Sequence, residues 1–114
     1  MTAVAYKFTT GASTNLQPVR AGQSASLLGL SVANVATAIY IKFYWYTPTA
    51  ANPTPTVGTT VPNLTVGVAA SANVLTPLPP TTGNGQLWVA VTAAAADGDS
   101  ANAAAGAVIT MLVE

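Results

Sequence analysis

From residue 38 to 46 the chain alternates strictly, Ile39, Ile41, Phe43 and Trp45 interleaving with Tyr40, Lys42, Tyr44 and Tyr46. A period of two places the first set on one face of a β-strand and the second on the other, and the more apolar set predicts the core face. Residues 86–92 repeat the pattern, with Leu87, Val89 and Val91 opposed to Trp88, Ala90 and Thr92. Further strands are predicted at 4–9, 24–34, 61–68, 73–75 and 107–113, where Val, Ile, Thr, Tyr and Ala lie between Gly and Pro punctuation. About seven short strands predict an all-β fold, a two-layer antiparallel β-sandwich, with the jelly roll as one form of it.

In the last strand Ala107, Ile109, Met111 and Val113 are apolar, and so are Val108 and Leu112 on the opposite face. Two dry faces suit a central strand, or one covered by a neighbouring subunit. Between the strands, Gly22-Gln23 and Gly83-Asn84-Gly85 supply residues that tolerate positive φ at turns. Residues 47–60 hold Pro48, Pro53 and Pro55 and read as an extended, solvated connection. Residues 93–107 are Ala-rich, but Gly98, Ser100 and Asn102 favour a loop with at most one helical turn. The whole chain, 1–114, reads as one domain, with residues 1–15 able to reach out as an extended N-terminal arm.

Composition changes what such a sandwich is expected to do. The chain has three Lys or Arg, three Asp or Glu, no His and no Cys in 114 residues, and 51% of it is hydrophobic. General acid–base chemistry, metal capture and phosphate binding draw on charged or titratable groups, so the expectation is contact rather than reaction: no enzyme and no cofactor. Lys7, Arg20 and Lys42 are isolated, which argues against nucleic acid and against anionic membrane surfaces. The longest apolar stretches fall short of a spanning helix, and residues 1–7 do not have the basic start and apolar run of a secretory signal. Neutrality and few charges favour association with other proteins or other copies.

Two groups of residues stand out as candidate sites. Asp97-Gly98-Asp99-Ser100-Ala101-Asn102 gathers oxygen ligands as a calcium loop does, but Ala101 takes a ligand position and no Glu closes the loop. Asp97 and Asp99 are therefore weak metal candidates beside the plainer reading, a turn whose carboxylates accept local backbone N–H groups. The stronger signal is aromatic. Tyr40, Tyr44, Tyr46 and Trp88 share the outward face of the two alternating strands and suit a subunit interface or a saccharide platform. The competing reading is that a loop, residues 47–60 for example, folds over that face within the monomer.

Tyr40-Ile41-Lys42-Phe43-Tyr44, Pro55-Thr56-Val57-Gly58-Thr59-Thr60-Val61-Pro62, Leu64-Thr65-Val66, Leu87-Trp88-Val89-Ala90-Val91-Thr92, Ala95-Ala96-Asp97-Gly98-Asp99 and the apolar ending 107–113 follow one another in an order and spacing that resembles small phage virion proteins of the head-decoration or cement type. The resemblance runs from about Ser24 onward. It departs at Trp45, where a small polar residue such as Asp or Asn is more usual, and at 76–85, where the connection is longer and Pro-rich. It implies a β-sandwich carried in many copies on the capsid surface of a virion assembled in the host cytoplasm. The partners would be the major capsid protein or another virion protein, and its own copies in a homo-oligomer such as a trimer. The alternative is a receptor- or glycan-binding module of a phage tail fibre or cell-surface appendage, with Tyr40, Tyr44, Tyr46 or Trp88 stacking on sugar rings. A small β-domain of a bacterial surface or pilus-like assembly ranks below both.

Overall fold

A computed structural model of the chain describes residues 4–11, 16–19, 25–72, 74–82 and 85–114, with residues 74–82 described by their backbone. Its strands are β1 (Val4–Thr9), β2 (Gln17–Pro18), β3 (Ser26–Ala33), β4 (Ile39–Tyr46), β5 (Leu64–Val68), β6 (Val74–Thr82), β7 (Gln86–Thr92) and β8 (Val108–Val113). They form two four-stranded sheets of order β1-β8-β3-β6 and β2-β7-β4-β5. Every pairing is antiparallel. Except for the β4–β5 hairpin, consecutive strands lie in opposite sheets, and this strand order is that of the eight-stranded jelly roll. No helix occurs among the described residues, so none there is long and apolar enough to cross a membrane.

The alternation that predicts each strand also assigns its buried face. Ile39, Ile41 and Phe43 of β4 are fully buried and Trp45 nearly so. They meet Leu87, Val89 and Val91 of β7 and, from the other sheet, Leu27, Leu30 and Val32 of β3 and Ile109, Met111 and Val113 of β8 in one core. Trp45 also ties the layers together, because its indole N–H donates to the Ala25 carbonyl at 2.8 Å, just ahead of β3 in the facing sheet. A buried Trp needs such a partner for its one donor. At the start of β8, Thr10 closes the end of the sandwich. Its hydroxyl donates to Ala104 O at 2.7 Å and accepts from Ala107 N–H at 3.0 Å.

The structure differs from the expectations in the following places. The short strand at 73–75 and the Pro-rich connection at 76–85 are one nine-residue strand for most of their length, β6. The physical reason is position: β6 is a sheet edge, where an unpaired side leaves proline's missing donor unneeded. Two-residue β2 has no sequence signal and owes its place to pairing with β7 at Trp88 and Val89. β5 starts at Leu64, since Pro62 precedes it and Val61 stands exposed. The predicted strand at 4–9 is β1, paired along its length with β8. Gly22-Gln23, Gly83 and Asn84 lie outside the described residues, as does Asn73 at the start of the predicted fifth short strand.

Candidate interaction surfaces

The aromatic face lies on the outside of the β2-β7-β4-β5 sheet. Tyr40, Lys42, Tyr44 and Tyr46 share the non-core side of β4, and Trp88 of β7 stands in register with Tyr44. The structure therefore brings Tyr40, Tyr44, Tyr46 and Trp88 together on one face, as the alternation predicts. Their exposure differs from the expectation of an open platform. Tyr44 is 1% exposed, and Tyr40, Tyr46 and Trp88 are half-buried.

Two loops of the same chain cover this face. In residues 47–60, the Tyr46 hydroxyl donates to Asn52 O at 3.0 Å, Thr49 and Asn52 close a turn, and a second turn at Thr56–Thr60 uses Gly58 at φ +90°. Pro55 is buried there while most of residues 47–60 are exposed, so the segment is solvated, as its composition predicts, and is also folded by its turns rather than extended. Residues 93–101 form the second cover, closed by Ala93 N–H to Ala101 O at 3.1 Å. The covers touch where Gly58 lies close to Gly98 and Ser100: a Cβ on Gly58 would fall 3.1 Å from Ser100 Cβ.

Lys42 holds the second cover from beneath. Its side chain is fully buried, and its ammonium donates to Ala96 O at 2.7 Å and Asp99 O at 3.2 Å. A buried ammonium is tolerable only when its donors are met, and here two loop carbonyls meet them. Asp99 accepts Ala94 N–H at 3.0 Å on one carboxylate oxygen and Ala101 N–H at 3.4 Å on the other. Its carboxylate is thus occupied in building the turn, while Asp97 is exposed. No group of three or more His, Cys, Asp or Glu that could hold a metal occurs among the described residues.

Two polar atoms under the covers have no partner, Tyr44 OH and Trp88 Nε1. Burial, and next the negative charge of Asp97, push the Tyr44 phenol pKa above 10. On the neighbouring strand the Tyr40 ring lies against Gly67, where any Cβ would come within 3.1 Å of its Cε1. These aromatics therefore serve the packing of their own sheet and loops.

The open surface is on the other sheet. Register places Ala5, Lys7 and Thr9 of β1 beside Leu112, Thr110 and Val108 of β8, which in turn lie beside Gly29, Ser31 and Ala33 of β3. Ala5, Lys7, Thr9, Ala33 and Leu112 are exposed, and Ser31, Val108 and Thr110 are half-buried. Lys7 is the one charge among these residues. The dry second face of 107–113 is the sequence signal for this surface; β8 is a central strand whose Leu112 stays 42% exposed. A cleft of about 360 Å³ opens between Asn34, Val35, Ala36, Ser71 and Ala105. Among its described lining residues none is ionisable, and Asn34 and Ser71 offer hydrogen bonds. Set against known protein families, curated proteins and solved structures, the chain matches none.

Proposed function

We propose that this chain is a structural protein of a virus particle, a capsid decoration or cement protein that binds the assembled shell and its own copies. The supporting observation is the strand-built face of Ala5, Lys7, Thr9, Ser31, Ala33, Val108, Thr110 and Leu112, on which Lys7 is the single charge. Small side chains on a sheet give a flat surface that another protein can approach closely with only the Lys7 ammonium to desolvate or leave at the rim. Lys42 and Asp99 are engaged away from this face, in holding a loop. The jelly roll is also an architecture of viral capsid proteins, which supports the reading by analogy of fold alone. In this role the partner is the major capsid protein or another virion protein, and the location is the capsid surface.

Lectins share the architecture, and the glycan-binding alternative needs Tyr40, Tyr44, Tyr46 or Trp88 open for stacking. Burial of Tyr44 and engagement of the Tyr46 hydroxyl speak against it. A three-dimensional image of particles from cells that make this chain separates the two. Jelly-roll density repeated over the shell supports decoration; a few copies at a tail tip, or none, overturn it.

A further inference from the structure

We infer that β1 is a self-pairing edge, through which two copies of this chain join their β1-β8-β3-β6 sheets across a two-fold axis passing by Tyr6. The inference deepens the proposed assembly with its own copies and rests on that part of it.

The backbone supplies the first argument. Thr10 N–H donates to Ala107 O at 2.9 Å, and Gly106 N–H donates to Thr10 O at 3.0 Å, so the polar groups of Thr10 point toward β8. Alternation along the strand then turns those of Phe8, Tyr6 and Val4 toward β8 and those of Ala5, Lys7 and Thr9 outward. Among the described residues no strand pairs with this outer side. Such an edge is a template for a further strand.

The other edges are guarded. In the same sheet, β6 has three prolines in nine residues, which remove donors. In the facing sheet, β2 is two residues long and ends in Pro18, and β5 has five residues including Gly67. The six-residue β1 has neither Pro nor Gly. Because the far edge of its sheet is blocked, the sheet can grow only at β1, and pairing β1 with β1 closes the assembly at two copies. Beneath β1 a cleft of about 50 Å³ opens between the sheets, lined in part by Tyr6, Phe8, Val19, Val89 and Met111. A second strand beside β1 covers its mouth, along with Val4, which is 41% exposed.

Parity and charge then fix the register. Val4, Tyr6 and Phe8 face the interior side, so they must meet the same set in the second copy, and only registers centred on a single residue on both strands achieve this. Centring on Lys7 sets two lysines directly opposite, which is unfavourable. Centring on Tyr6 pairs Val4 with the second copy's Phe8 and Ala5 with its Lys7. The outward groups of Ala5 and Lys7 then form the hydrogen-bonded pairs, and the lysines stand diagonally apart. Five paired residues are fewer than a standard interface provides, so the dimer fills as concentration rises.

The test is sedimentation of the purified full chain across a concentration series, beside Lys7→Pro, with disulfide trapping of Tyr6→Cys and Lys7→Cys. Lys7→Pro deletes an outward donor and keeps every β1–β8 hydrogen bond, so it is expected to fold and to weaken dimerisation at least tenfold. Tyr6 lies in a non-hydrogen-bonded pair across the axis, with Cα atoms about 4.5 Å apart, and Tyr6→Cys is expected to cross-link at least tenfold faster than Lys7→Cys. A wild-type chain that stays monomeric, a strand of another protein occupying β1 in its place, unchanged dimerisation of Lys7→Pro, or faster trapping of Lys7→Cys overturns the inference. These outcomes are separable from failure of the virion reading: a monomeric chain found on shells overturns only the pairing, and a β1-linked dimer absent from particles overturns only the decoration role.

Discussion

At the scale of single residues, the polar side chains that are buried are nearly all in use, and the exceptions predict how they will respond to change. Tyr44 OH has no partner, so Tyr44→Phe removes a desolvated hydroxyl and no hydrogen bond. Thermal or urea unfolding is expected to show stability unchanged or raised by up to about 1 kcal/mol. A loss beyond that would reveal an acceptor for the phenol. The sign of the pH effect follows from the raised pKa. Between pH 10 and the higher folded-state pKa, the unfolded chain has lost the phenol proton and the folded chain has kept it, so stability falls with rising pH. Below pH 10 the contribution is constant. Tyr44→Phe should flatten that part of the alkaline decline, read as the difference between the two unfolding curves.

Lys42 and Thr10 respond in the opposite direction. Lys42→Met leaves the carbonyls of Ala96 and Asp99 without their donor. It is expected to cost about 1–3 kcal/mol and to speed amide hydrogen exchange in residues 93–101. Thr10→Val strands Ala107 N–H and is expected to cost a similar amount, about 1–3 kcal/mol, in denaturant unfolding. The sequence alone distinguishes the two faces of β4 but gives no sign that Lys42 is a loop anchor. Alternation reports which side a residue is on, whereas the depth of burial depends on loops that come from 47–60 and 93–101.

At the scale of elements, the long strands are legible because their side chains alternate and their ends carry Gly or Pro. β1 and β7 fall at their predicted bounds, and β3, β4 and β8 lie within theirs. β6 is illegible for the opposite reason: prolines at 77, 79 and 80 read as a break unless the strand is known to be an edge. The turn into β7 is legible at Gly85, which takes φ +93°. A Cβ there would lie 2.4 Å from Tyr46 O, on backbone that cannot step aside. Gly85→Ala is therefore expected to destabilise the chain by at least about 1–3 kcal/mol in denaturant unfolding, and a neutral result would contradict this turn geometry.

At the scale of the whole molecule, the sequence scarce in charge folds as a sandwich with one aromatic face covered by its own loops and one small-residue face left open. The sequence draws attention to the covered face. Tyr and Trp carry a stronger contact signal than Ala, Ser and Thr, and only Val108 and Leu112 mark the open side. The central claim is the proposal that this open surface, with Lys7 its one charge, binds other proteins, and its most direct test is co-sedimentation of the purified chain with viral shells prepared without it. Retention is expected to change little between about 50 mM and about 500 mM salt, because Lys7 is the one charge on this surface for salt to screen. Release by moderate salt, or failure to sediment with the shells at any salt, would contradict the account.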